Sequence, residues 1–209
     1  MNGTCALFRL ARASHLILAS SSPRRQQFLG DLGLPYQVLT SPKDEVTPMP
    51  SEDPQIFTAR AADHKARQTA QLIPGAYQSP LLIAADTVVS IDGRILGKPQ
   101  DNADALAMLS LLSGRSHQVT TSVCVLLPRR YQECSFAFSD QASVTFYAWP
   151  KEVLAAYVQS GEPRDKAGAY AIQGKGAFLV QGIHGSWSTV VGLPVSRLCR
   201  ELLSRELIA

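Results

Sequence analysis

Apolar positions recur along the chain in two periods, and the alternation between them lays out the elements. Residues 16–20 form an apolar run short enough to be a buried strand, and it ends in Ser20-Ser21-Ser22-Pro23. Pro23 at a first helical position predicts a helix from there to Gly30 or Gly33, followed by a strand over 36–40. Asp53-Pro54 reads as an N-cap with proline behind it, which predicts a helix to about Ile73, ahead of Pro74-Gly75. Two strand-like segments, 81–90 and 94–97, flank Asp92-Gly93, a strong hairpin signal. Over 102–113, Ala105, Leu109 and Leu112 share one helical stripe, and Gly114 stops it. Segments 118–127 and 134–147 predict a longer hairpin, 150–160 a helix ended by Gly161, 177–183 a strand and 194–207 a closing helix. Hairpins and crossovers intermix, which predicts an α/β fold with a mixed β-sheet and flanking helices.

The 209 residues suit one domain, or one domain folded as two lobes around a central cleft. With 45% of them hydrophobic, the chain can bury a sizeable core, and disorder is excluded. The net charge of +3 is dispersed rather than gathered in a tail, which argues against a nucleic-acid partner. No apolar run approaches the roughly 18 residues a membrane span needs, so no membrane partner is expected. Cys5, Cys124, Cys134 and Cys199 are far apart and form no CxxC pair, so neither a zinc site nor a disulfide framework is indicated. Cys124 in its apolar run reads as a small core hydrophobe, and a reducing compartment fits best. Residues 1–14 read as a loose extension ahead of a single domain over 15–209.

Chemistry shows first at Ser20-Ser21-Ser22-Pro23-Arg24-Arg25. Ser22 is the expected N-cap, and Arg24 and Arg25 then fall in a first helical turn, where the macrodipole disfavours cations. Free amides, hydroxyls and two guanidiniums at one positive end make an anion site if a phosphate joins them, or a solvated arginine pair if none does.

The second site is Asp86, a carboxylate inside the apolar strand 81–89. Such a group costs several kcal/mol unless it is paired, hydrogen-bonded or bound to a metal. Lys98 is the natural partner, because the hairpin returns the chain towards Asp86. A two-residue turn would set Lys98 opposite Thr87, and a three-residue loop over 91–93 would set it opposite Asp86 itself. A buried Asp–Lys pair that merely fixes register is the alternative.

The third is the charged, glycine-bounded stretch Gly161-Glu162-Pro163-Arg164-Asp165-Lys166-Ala167-Gly168, which leads into Tyr170-Ala171-Ile172-Gln173-Gly174. It reads as a cleft-lining loop or a plain surface turn, and Gln173 as an amide for a base edge or a satisfied structural glutamine. His64, His117 and His184 show no mutual spacing for catalysis, and Trp149 and Trp187 read as packing residues.

Together, 18–25 (Leu-Ala-Ser-Ser-Ser-Pro-Arg-Arg), Ala85-Asp86-Thr87-Val88, Gly97-Lys98-Pro99, the 161–168 stretch, Ile172-Gln173-Gly174 and Val191-Gly192-Leu193-Pro194 resemble the Maf family of nucleoside triphosphate pyrophosphatases. The motifs stand in family order and span about residues 16 to 195. The resemblance implies a cytoplasmic enzyme with two lobes around a cleft, hydrolysing nucleoside triphosphates to the monophosphate and pyrophosphate with Mg²⁺ or Mn²⁺. It implies that Asp86 is the proton acceptor and that Arg24, Thr87 and Gln173 bear on substrate choice. Thr87 with Gln173 resembles the branch acting on dTTP and UTP, with room for modified pyrimidine nucleotides.

On that resemblance, Ser20, Ser22, Arg24, Arg25, Lys65 and Lys98 are the expected triphosphate holders, and Asp86 with Glu45 the expected metal ligands. Ala171 and His184 depart from the family pattern, away from the acid–base chemistry. The alternatives are the 7-methyl-GTP branch, disfavoured by Thr87 and Gln173, and a nucleotide-binding regulator of cell division without turnover. Retention of Asp86, Lys98, Arg24 and Arg25 together argues against a pure binder. A homodimer is compatible with all of these readings.

Overall fold

A computed structural model describes residues 6–11, 15–42, 46–77, 79–127 and 136–209. Glu45, Cys5 and Cys134 lie outside the described residues, as does the turn of the second expected hairpin. The expected elements form with small shifts of boundary. They are β1 (His15–Leu18), α1 (Pro23–Asp31), β2 (Tyr36–Val38), α2 (Pro54–Ala70), β3 (Pro80–Ile91), β4 (Arg94–Leu96), α3 (Asn102–Leu112), β5 (Ser116–Leu126), β6 (Phe136–Phe146), α4 (Lys151–Gln159), β7 (Val180–His184), α5 (Trp187–Val191) and α6 (Val195–Ser204).

The sheet is mixed, as the hairpins and crossovers require. Its strand order is β2-β1-β3-β5-β6-β7, with β4 added beside the end of β3. β1 runs parallel to β2 and β3 through the crossover helices α1 and α2, and the remaining pairings are antiparallel. Local chemistry sets the boundaries. Asp53 Oδ1 accepts the Gln55 and Ile56 amides at 2.8 and 3.2 Å, the cap its sequence predicts. Asp92 (φ 50°) and Gly93 (φ 73°) make a two-residue turn that pairs Ile91 with Arg94 and Val89 with Leu96.

Three expectations are corrected. Residues 6–11 are not loose: Arg9 and Ala209 exchange two backbone hydrogen bonds of 2.9 Å, and Phe8 and Leu10 pack on the core. The strand expected over 177–183 begins only at Val180, because Gly174–Leu179 coils as 3₁₀ helix. α5 was not expected at all, since its Ser-Thr-Val-Val stretch carries no helical propensity signal.

Alternation along β3 divides the core. Leu82 and Ala84 pack under α2 with Ala62 and Ala66, and Val88 packs with Phe57 and Ala61 on the same face. On the other face, Leu81, Ile83 and Ala85 join Leu29 of α1 and Leu198 and Leu202 of α6. Further along, Val89 and Ile91 join Leu109 of α3 and Leu154 of α4. The two clusters on this second face are separate, and the break between them falls at Thr87. No helix among the described residues is long and apolar enough to cross a membrane.

Candidate active site

The break in the core is the site's origin. β3 is buried at every position except Asp86 and Thr87. Asp86 projects towards α2, where three small residues, Ala61, Ala62 and Ala66, let the helix lie close on the sheet. Lys65 of α2 reaches across and forms an ion pair with Asp86 Oδ1, both side chains partly open to solvent. This corrects the expectation that Lys98 would be the partner. The hairpin takes the two-residue turn, which leaves Asp86 on the opposite face from the β4 side of that register, and β4 ends at Leu96.

At the start of α1, the adjacent arginines diverge because successive helical residues point about 100° apart. Arg25 turns inward. Its Nε donates to Gly192 O (2.8 Å), Nη1 to Ala85 O (2.8 Å) and Ser20 Oγ (3.2 Å), and Nη2 to Thr87 Oγ1 (3.1 Å). Burial draws the Arg25 guanidinium below its ordinary value, with Asp86 opposing and Arg24 adding to the shift. Four protein acceptors occupy a group expected to hold phosphate, so its direct work is to tie α1, β3 and the end of α5 together. Arg24 is left partly open, and its Nε is buried with no hydrogen-bond partner. Ser22 has the extended backbone of an N-cap, but its side chain makes no cap bond. Ser20 Oγ accepts the Ser22 amide at 3.2 Å instead.

Thr87 belongs to a directional chain. Thr121 of β5 donates its one hydroxyl proton to Thr189 O at 2.8 Å, so in the 2.8 Å Thr87–Thr121 contact Thr87 must be the donor. Thr87 then accepts from Arg25 and donates to Thr121, and its hydroxyl proton is engaged inside the protein. The hydroxyl of Thr189 donates in turn to Asp140.

The far wall comes from residues after α4. Gly161 ends that helix at φ 77°, and Glu162–Asp165 follows as a 3₁₀ turn. The Gly168 amide donates to Gly97 O (3.0 Å), which brings this turn against the stretch carrying Lys98, itself exposed. Gly168 sits at φ 66° with Val89 only 2.9 Å from where a Cβ would lie, so the close approach demands glycine. Glu162 accepts the amides of Lys175 (2.9 Å) and Gly176 (2.8 Å) and the Tyr157 hydroxyl (2.9 Å). Burial alone would raise the Glu162 carboxyl, but these donors and the Lys166 ammonium outweigh it and hold it below the usual range. The Arg24 charge reaches this wall too, since it lowers Asp165 and Tyr157 as a minor contribution to each. Gln173 is half-buried between Ala171 and this braced segment.

The fold therefore assembles Ser20, Ser22, Arg24, Arg25, Lys65, Asp86 and Thr87 around one break in the sheet, with Lys98 on the stretch tied to Gly168 and Gln173 on the segment tied to Glu162. Glu162 and Tyr157 acquired no role from sequence, because their partners are main-chain amides up to 14 residues away. Among the described residues, no three His, Cys, Asp or Glu side chains group for a metal.

A family model described as "Maf-like protein" matches residues 15–205. A dTTP/UTP pyrophosphatase of Nitratidesulfovibrio vulgaris is 48% identical over 197 residues, covering 94% of this chain and 90% of that protein. One of Desulfotalea psychrophila is 44% identical, covering 93% and 96%. One of Bacillus cytotoxicus is 41% identical, covering 89% and 93%.

Proposed function

The chain belongs to the Maf family, and from that premise we propose that it hydrolyses dTTP and UTP to the monophosphate and pyrophosphate. The single observation that carries the reading is the polar opening at Asp86-Thr87 in an otherwise buried strand, with Lys65 on one face and Arg25 on the other. A buried register pair would need no such opening. In the proposed reaction, water attacks the α-phosphorus and Asp86 takes the proton it gives up. One oxygen–phosphorus bond forms, the bond from the α-phosphorus to the bridging oxygen breaks, and pyrophosphate leaves with that oxygen and its electron pair.

The chain's own residues hold the rest. Lys65 has N–H groups beyond the one on Asp86 for phosphate oxygens. Arg24, with its unpartnered buried Nε, supplies a guanidinium, and an anion there would satisfy that donor. Lys98 adds a point charge, and Ser20 keeps its own proton to donate while accepting from Arg25 and Ser22. Arg25 contributes long-range positive charge and order, which favours charge developing on the leaving pyrophosphate.

Mg²⁺ or Mn²⁺ fits this donor set in one manner. Asp86 is a single partly exposed carboxylate, and Mg²⁺ accepts one or two carboxylates together with water and substrate phosphates. Such an ion would be held between Asp86 and the nucleotide, supplying charge neutralisation on the phosphates. The buried free thiols Cys124 and Cys199 support a reducing compartment, in keeping with the cytoplasm.

Pyrophosphate release from dTTP, UTP, CTP, GTP and 7-methyl-GTP, with either metal, tests the reading. Selective turnover of dTTP and UTP is expected. Preference for 7-methyl-GTP would overturn the base assignment, and no release from any nucleotide would overturn the activity.

A further inference from the structure

Gln173 lies on a segment fixed at both ends by two side chains, Tyr157 and Glu162. Before it, the Ala171 amide donates to the Tyr157 hydroxyl at 3.2 Å. After it, the Lys175 amide donates to Glu162 Oε2 at 2.9 Å and the Gly176 amide to Oε1 at 2.8 Å. The two anchors are joined, because Tyr157 donates to the same Glu162 Oε1 at 2.9 Å. Every proton here has one direction: a carboxylate only accepts, so Tyr157 gives its proton to Glu162 and takes one from Ala171. The brace closes through four hydrogen bonds around Ile172, Gln173 and Gly174.

Two glycines show how closely it is fitted. A Cβ on Gly174, already at φ 80°, would stand 2.7 Å from Glu162 Oε2. A Cβ on Gly176 would stand 2.5 Å from the Tyr157 hydroxyl and 2.5 Å from Ala171 O. Side chains at either place would drive the brace open. The scaffold beneath is rigid, since Tyr157 is 4% exposed in α4 and packs with Leu154, Leu179 and Tyr170. Charge-assisted bonds from main-chain amides to a carboxylate are among the stronger neutral-donor bonds available.

We propose that Tyr157 and Glu162 are positioning residues for Gln173: without touching substrate, they fix the main chain from which its side chain reaches towards the nucleotide base and so set base choice. An amide side chain on a free loop can reach a base edge from many positions, and discriminates little. Fixed main chain on both sides narrows where the Gln173 side chain can reach before substrate arrives. This inference rests on the reading of Gln173 as a base-contacting residue in a nucleoside triphosphate pyrophosphatase.

The test is a double-mutant cycle on discrimination. kcat/KM for dTTP and for CTP is measured in the unaltered protein, Tyr157→Phe, Gln173→Ala and the double variant, with Glu162→Gln as a second way of weakening the brace. Tyr157→Phe and Glu162→Gln are each expected to lower the dTTP-to-CTP ratio about tenfold, and either to add less than twofold in the Gln173→Ala background. Equal losses on both nucleotides, or multiplicative losses in the double variant, would overturn the proposal and leave the brace purely structural. An altered ratio in Gln173→Ala with none in Tyr157→Phe or Glu162→Gln would overturn the proposal alone. An unaltered ratio in Gln173→Ala would overturn the reading of Gln173 and the brace's role with it. If Tyr157→Phe fails to fold, Glu162→Gln, which keeps shape and an acceptor, decides the same outcomes.

Discussion

The Lys65 ammonium lies against the Asp86 carboxylate across the α2 face of the sheet, on a strand whose other positions, Thr87 apart, are buried. Apolar packing stops on either side of it, at Ala84 and at Val88. The pair is open enough for water and substrate, and enclosed enough to have one geometry.

Asp86→Asn keeps the shape and removes the proton acceptor. Turnover is expected to fall by about 10²–10⁴-fold, the usual range for a lost general base, while triphosphate binding remains measurable. Lys65→Met should lower turnover as well, with a raised KM. Rapid-quench kinetics and nucleotide titration check both, and near-normal turnover in Asp86→Asn would make the carboxylate structural.

The two arginines should separate cleanly. Arg25→Ala strips donors from Gly192 O, Ala85 O and Thr87 Oγ1, a loss of about 3 kcal/mol or more if the acceptors stay dry. Tm is expected to fall by roughly 6–12 °C for a chain of this size. Arg24→Ala should leave Tm within a degree or two and raise KM for every triphosphate. Thermal melts beside steady-state kinetics distinguish the two patterns.

Much of this arrangement was legible in the sequence where the determinant is local. Asp53-Pro54 marks a helix start, Asp92-Gly93 a two-residue turn, and Ala105, Leu109 and Leu112 a buried stripe, because each acts within a few residues of itself. Asp86 stood out because a carboxylate in an apolar strand is a local anomaly. The partner of Asp86 was not legible. Lys98 is near in sequence, but Lys65 arrives by the crossing of α2 over the sheet, which no spacing reports. The inward turn of Arg25 was hidden likewise, since its acceptors lie 60 and 167 residues away. The 3₁₀ coil over Gly174–Leu179 follows from the close approach of Gly176 to Tyr157, a tertiary constraint.

The hydroxyl chain gives a third prediction. Thr121→Val leaves the Thr189 carbonyl without its partner in a fully buried place and takes the acceptor from the half-buried Thr87 hydroxyl. A loss of about 1–3 kcal/mol is expected on unfolding in denaturant. Thr121→Ser, which keeps the hydroxyl, should recover most of it. Equal losses in both variants would remove the directional chain from the account.

A fourth concerns acid. Burial pushes the His117 imidazole down from 6.5 to about 4, and its Nδ1 has no partner. The folded chain holds this ring neutral while the unfolded chain protonates it, so between pH 6.5 and 4 the unfolded state binds more protons. Its contribution is whole above pH 6.5 and declines as pH falls to about 4, by about 3 kcal/mol in all. His117→Gln should flatten the fall of Tm with pH across that window, and an unaltered slope would contradict it.

The most direct test is turnover of dTTP in ¹⁸O-labelled water, with mass analysis of both products. Attack of water on the α-phosphorus predicts one labelled oxygen in dTMP and none in pyrophosphate. Label in pyrophosphate instead, or in inorganic phosphate, would place the attack elsewhere and contradict the chemistry assigned to Asp86.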